Sequence, residues 1–109
     1  MRMRTSPKPV TANQKIVQSK AFARAVQKVI NRHDPIGLIG EGGPVDEYDY
    51  QQAAIMRKLP ACNSIERLQA MIHDEFCHWF NPENVGPREK FKQPAIDLFR
   101  LYREFQKTR

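Results

Sequence analysis

Residues 63–80 read NSIERLQAMIHDEFCHWF, and the apolar side chains in this stretch recur every three or four residues. On a helical wheel they occupy an arc of roughly 120°, which is typical of an amphipathic helix packed on a core. Asn63, with Glu66 three residues later, matches a capping box, and Asn81-Pro82 ends the pattern. The arc predicts the core-facing side of this helix: Ile65, Leu68, Ile72, Phe76, Trp79 and Phe80.

The same period marks one helix before this stretch and another after it. Ser19 is a good N-cap for the first helix, which ends before Pro35, and Pro94 suits the first position of the last helix. The predicted core faces are Phe22, Val26, Val29, Ile30 and His33 in the first helix, and Ala95, Leu98, Phe99, Tyr102 and Phe105 in the last.

A short helix is predicted between the first helix and residues 63–80. Asp49 and Gln52 match a second capping box, and Pro60 stops the helix near Leu59. No segment of the sequence alternates with the period of two that marks a strand. The sequence therefore predicts an all-α fold, a compact small helical domain of three main helices plus one short helix.

A long Gly/Pro-rich loop follows the first helix. Residues 34–49 read DPIGLIGEGGPVDEYD, with four glycines and two prolines, so they cannot form a regular helix. In one interpretation the loop is a capped connection between helices, and its structural residues are Asp34, Pro35, Gly37 and Asp49. In the other it is a protein-binding loop that presents negative charge to a cationic partner through Glu41, Asp46, Glu47 and Tyr48.

Two motifs in this loop, DPIG at residues 34–37 and DEYD at residues 46–49, carry a resemblance. Together they resemble the loop signature of a family of small bacterial helical domains to which no activity has been assigned. Members usually carry Trp before the Asp-Pro, where this chain has His33, and the likeness extends over residues 22–80. The resemblance implies a compact helical fold and a bacterial or phage origin, and it brings no activity with it.

The length, the apolar runs and the cysteines of the chain limit the classes of protein to which it can belong. The 109 residues predict one helical domain at residues 12–109, preceded by a flexible basic arm at residues 1–11. No apolar run approaches the roughly 18 residues of a membrane span, so no membrane partner is expected. Two cysteines without a secretory signal predict reduced thiols and a cytoplasmic location.

The net charge of +6 is unevenly distributed. Residues 1–32 hold eight bases and no acid, whereas residues 33–56 hold five acids and no base. A column of cations spaced by four lies opposite the apolar arc of the first helix: Lys20, Arg24, Lys28 and Arg32. The column either meets the acidic loop folded back along the helix or forms a nucleic-acid-binding surface together with the basic arm.

Candidate catalytic and metal-ligating side chains are present without the spacing that such chemistry needs. His73 and Cys77 are one helical turn apart, but His78 points to another side of the helix, and Cys62 and His33 lie elsewhere in the sequence. The sequence therefore predicts no catalytic residue, no metal and no cofactor.

The sequence as a whole favours a small non-enzymatic helical protein that binds another protein, in the manner of an adaptor, an inhibitor or an immunity-type protein. The alternative is a nucleic-acid-binding protein that uses the basic first helix and the N-terminal arm. The oligomeric state stays open.

Overall fold

The computed structural model describes residues 12–107, and the predicted basic arm at residues 1–11 lies outside the described residues. Within them the chain forms helices and no strands, which confirms the all-α prediction. The helices are α1 (Ala12–Val17), α2 (Lys20–His33), α3 (Asp49–Lys58), α4 (Ile65–Trp79), α5 (Pro82–Val85) and α6 (Lys92–Lys107). Two 3-10 turns, Leu59–Ala61 and Arg88–Phe91, follow α3 and precede α6.

Helix α6 packs against both α4 and α2, and α3 bridges α4 and α2 on another side. The ring of Phe22, near the start of α2, lies 5.0 Å from that of Phe105, near the end of α6. At the other end of α2, His33 contacts Asp97 in the first half of α6, so the two helices run antiparallel. Fully buried side chains from all three main helices and α3 meet between them, among them Phe22, Val26, Ile55, Leu68, Phe76 and Leu98.

The helix starts partly differ from the sequence predictions. Ser19 caps α2, because its Oγ accepts a hydrogen bond from the amide of Phe22. In α4 the cap is Ser64 rather than Asn63, and its Oγ accepts from the amide of Arg67 at 3.1 Å. Helix α6 begins at Lys92, before Pro94, because the preceding 3-10 turn leads directly into it.

The capping box predicted at Asp49 does not form. Asp49 is the first residue of α3, and the N-cap position belongs to Tyr48, whose side chain makes no capping bond. The Gln52 side chain points away from the helix start and donates from Nε2 to the carbonyl of Ala23 at 2.8 Å. Gln52 therefore ties α3 to α2, and the Asp49 carboxylate acts on α3 through the helix dipole.

None of the helices within residues 12–107 is both long and apolar enough to cross a membrane.

Candidate protein-binding surface

Asp34 organises the loop from its first position. It ends α2 in the left-handed region, with φ 46° and ψ 61°, a conformation that Asp tolerates better than most residues. Its carboxylate accepts hydrogen bonds from the amides of Ile39 at 3.0 Å and Gly40 at 2.8 Å, and from the Tyr48 hydroxyl at 2.6 Å. Burial raises the pKa of Asp34, but these bonds outweigh it and hold the pKa below the usual value.

Tyr48 closes the loop from its other end. Its hydroxyl donates to Asp34 and accepts from the amides of Ile36 at 3.1 Å and Leu38 at 3.3 Å, while its ring packs edge-on against Phe76. The side chain is 2% exposed, and burial together with the Asp34 bond raises its pKa to about 12. The prediction that Tyr48 lies on a protein-binding surface is therefore wrong, because its hydrogen bonds are made inside the loop.

Of the other residues predicted to be structural, Pro35 and Gly37 lie within this turn, whereas Asp49 is the first residue of α3. Pro35 is buried, and its carbonyl accepts a hydrogen bond from Lys90 Nζ. Gly37 has φ 83°, a left-handed conformation that strains any residue with a side chain. The loop is consequently fixed to the body of the domain at both of its ends.

Four carboxylates of this region face outward. Glu41, Asp46, Glu47 and Asp49 are all exposed, and no cation among residues 12–107 forms an ion pair with any of them. Three of the four belong to the predicted protein-binding loop. The fold therefore holds a set of unpaired negative charges on a fixed turn and at the start of α3.

A groove of about 1100 Å³ runs beside this turn, along the outer side of α3. Its apolar lining comes from the end of α1, from α2, from α3 and from the 3-10 turn that follows: Val17, Ala23, Tyr50, Ala53, Met56 and Ala61. Asp46 and Asp49 line it near the start of α3, and Arg57 lines it near the end of α3. The groove thus has an apolar floor with opposite charges at its two ends.

Tyr50 of the groove lining stacks on Trp79 of α4. The Tyr50 and Trp79 rings lie 5.5 Å apart with an interplanar angle of 21°, and they remain 73% and 46% exposed. The prediction that Trp79 packs in the core is therefore wrong. The buried side of α4 is centred on Leu68, Ile72 and Phe76, and Phe80 packs partly against the core, whereas Trp79 does not.

The orientation of Trp79 is fixed by Glu75. Trp79 Nε1 donates to Glu75 Oε1 at 3.2 Å, and Lys58 Nζ of α3 donates to Glu75 Oε2 at 2.6 Å. The Glu75 side chain is only 8% exposed, and burial raises its pKa. The bonds from Lys58 and Trp79 reverse that effect and hold the pKa below the usual value.

The cationic column on α2 does not meet the acidic loop. Arg32 pairs with Asp97 of α6 at 3.0 Å, and His33 Nε2 lies 2.7 Å from the same carboxylate oxygen. The His33 bond is the main reason that the pKa of Asp97 lies below its usual value. Lys20, Arg24 and Lys28 are exposed and form no ion pair with any carboxylate of residues 12–107.

The side chains weighed for catalysis do not form a nucleophile and base. His73 Nε2 lies 2.9 Å from the carbonyl of Gly86 and 3.6 Å from Cys77 Sγ. A nitrogen that donates its proton to a carbonyl cannot also accept one from a thiol. Burial raises the pKa of Cys62, which disfavours its thiolate, and His78 is exposed on another side of α4. No group of three His, Cys, Asp or Glu side chains in the described part of the chain could hold a metal ion.

Comparison with known proteins adds no relative. The chain matches no protein-family model, no curated protein and no solved structure. The resemblance of the loop to a bacterial helical family therefore stays a prediction.

Sequence reasoning missed Tyr50 as a surface residue. It placed Tyr48 there instead, although both tyrosines stand in the same acidic segment, DEYDYQQ at residues 46–52. One signal was available, because a helix that starts at Asp49 places Tyr50 and Ala53 on one face, separate from the face of Ile55 and Leu59.

Proposed function

We propose that this chain is a non-enzymatic protein-interaction module, of the adaptor, inhibitor or immunity type, which binds its partner over the groove and the Tyr50–Trp79 stack. The observation that carries this proposal is the exposed aromatic pair, held in one orientation by Glu75. Tyr and Trp are enriched at the energetic centres of protein interfaces. Because the two rings already stack and the indole is already bonded, little side-chain freedom is lost when a partner binds.

The loop carboxylates extend this surface. Glu41, Asp46 and Glu47 are exposed on a turn that is fixed by bonds to Asp34. Rim charges of one sign speed the encounter with a partner of opposite charge and disfavour partners of the same charge. We assign Glu41 and Glu47, which lie outside the groove lining, to steering, and the groove with the aromatic stack to affinity.

The test is site-specific photocrosslinking in cells at two exposed alanines. Ala53 lies in the groove, whereas Ala21 lies within the arc of the cationic column on α2. We expect protein crosslinks from position 53 that survive nuclease and are lost when Tyr50→Ala is added, and no such crosslinks from position 21. If both positions capture the same proteins, or Tyr50→Ala changes nothing, the proposed surface is wrong.

Nucleic-acid binding is the second candidate function. It is supported by the exposure of Lys20, Arg24 and Lys28 without carboxylate partners among the described residues. Binding of duplex DNA would then weaken steeply between roughly 50 and 200 mM salt, and Lys28→Gln would lower the slope of log affinity against log salt by about one. The matched control is Arg57→Gln in the groove, which should leave the slope unchanged. A flat salt dependence would remove this candidate.

A further inference from the structure

We infer that the occupant of the groove is a basic segment of a partner protein, which places a Lys or Arg side chain between Asp46, Asp49 and the ring of Tyr50. This inference rests on the proposed function and specifies the chemistry of the partner. Three features of the groove lining support the inference: two unpaired carboxylates, an aromatic ring and an apolar floor.

The charges at the Tyr50 end select a cation. Asp46 and Asp49 both line the groove there, and neither forms an ion pair within the described residues. Glu41 and Glu47 are exposed on the same turn and add to the negative potential. A phosphate backbone would be repelled at this end, whereas an ammonium or guanidinium group would form charge-assisted hydrogen bonds.

The Tyr50 ring adds a second attraction for the same group. Trp79 covers one face of the ring, at 5.5 Å between centroids, so a cation meets the other face. The face of an aromatic ring attracts a cation within about 6 Å of its centroid. Arg suits the site better than Lys, because its planar guanidinium can stack on the ring and bond a carboxylate through its edge.

The other end of the groove sets the direction of the segment. Arg57 lies eight residues after Asp49 on α3, which corresponds to about 12 Å along the helix axis at roughly 1.5 Å per residue. Between the two ends, Ala53 and Met56 of α3 and Ala23 of α2 form a floor of mostly small side chains. A segment with a basic residue, then an apolar residue, then an acidic residue or a chain carboxylate matches the groove along its length.

The experiment is a selection from a random dodecapeptide library on the immobilised full-length protein, followed by titration of the selected peptides. Trp79 is the single tryptophan of the chain, so its fluorescence reports binding at this surface. We expect the selected peptides to be enriched in Arg and Lys. We also expect Asp46→Asn combined with Asp49→Asn to lower their affinity about tenfold, as the loss of a charge-assisted pair implies. The matched control is Glu104→Gln, an exposed acid of α6 outside the groove, which should leave the affinity unchanged.

Each alternative outcome has a distinct meaning. One outcome is that the selected peptides lose affinity in Tyr50→Ala but show no excess of basic residues. Another is that they lose affinity in Tyr50→Ala but bind the Asp46→Asn, Asp49→Asn variant as tightly as the wild type. Either outcome would overturn this inference and leave the proposed function standing. If no selected peptide loses affinity in Tyr50→Ala, the inference and the proposed function both fail. A Trp79 emission that changes with protein concentration alone would place a second copy of the chain in the groove and overturn the basic partner.

Discussion

Tyr48 and Tyr50 stand two residues apart and lie in opposite environments. Tyr48 is 2% exposed and uses its hydroxyl for three hydrogen bonds inside the loop, whereas Tyr50 is 73% exposed and stacks on Trp79. The difference comes from the start of α3. Tyr48 is the last residue before the helix, with φ −105° and ψ 22°, and Tyr50 is already in the first helical turn.

The fold uses some of its polar groups for internal hydrogen bonds and leaves others unpaired at the surface. In the loop, the Asp34 carboxylate and the Tyr48 hydroxyl bond each other and the neighbouring amides, so neither of these two groups is left for a partner. At the groove, Asp46 and Asp49 are left without a cation among residues 12–107. We read the first region as the support and the second as the surface that it holds in place.

The largest expected effect is the difference in stability between the alanine variants of the two tyrosines. Tyr48→Ala removes a ring packed on Phe76 and should lower the free energy of unfolding by about 3–5 kcal/mol. Tyr50→Ala should lower it by at most about 1.5 kcal/mol, the value of an aromatic pair. Urea unfolding followed by far-UV circular dichroism measures both without relying on the tryptophan signal. Equal losses for the two variants would contradict the division between support and surface.

The next effect isolates the Tyr48 hydroxyl. Tyr48→Phe keeps the ring but leaves the Asp34 carboxylate and the amides of Ile36 and Leu38 short of one partner each. The expected loss in unfolding free energy is about 1–3 kcal/mol, since unsatisfied buried groups keep their desolvation penalty. Tyr50→Phe is the matched control and should change stability by less than about 0.5 kcal/mol. A Tyr48→Phe protein as stable as the wild type would show that ring packing alone closes the loop.

A smaller effect is the acid dependence that Asp34 gives the loop. Its pKa in the folded protein lies below the usual 3.8, so its contribution is present at neutral pH and is lost as the pH falls through the folded-state value. Asp34→Asn keeps a residue that tolerates the left-handed conformation and should cost about 1 kcal/mol at pH 7. The gap between wild type and variant should therefore shrink below pH 3.8, which urea titrations at a series of pH values can measure. A gap that persists at lower pH would mean that the charge of Asp34 contributes nothing.

The helices themselves were readable from the sequence, because apolar periodicity and caps such as Ser19 are local. Which side chains at the helix ends are buried could not be read from the sequence. Trp79 falls within the apolar arc of α4, yet it lies outside the core while its neighbour Phe80 packs partly against it. The position of α3 places the ring of Tyr50 beside the exposed indole. A helical wheel describes one helix, whereas exposure in its last turn depends on the neighbouring helices.

The candidate surface was predicted in part. The exposed acids of the loop could be read from its composition, and Glu41, Asp46 and Glu47 are exposed in the structure. The burial of Tyr48 and the exposure of Tyr50 could not be read from the sequence, because the burial of Tyr48 depends on a hydrogen bond to Asp34 across 14 positions of sequence. The groove could not be read either, since its lining comes from four separate elements.

The smallest expected effect concerns the support of the exposed surface. Lys58 bonds the Glu75 carboxylate that orients Trp79, but the Lys58 side chain is 53% exposed, so the ion pair should contribute at most about 1 kcal/mol. Lys58→Met should therefore be slightly less stable than Lys92→Met, a matched change at an exposed lysine of α6. That difference should begin to shrink below pH 4.5 and vanish once the pH has fallen through the lowered pKa of Glu75, because protonation of Glu75 removes the charge that Lys58 pairs with. Trp79 emission should stay unchanged in Lys58→Met, since Glu75 Oε1 still accepts the indole bond. A shifted emission would show that the ammonium group, rather than Glu75 alone, holds the indole against Tyr50.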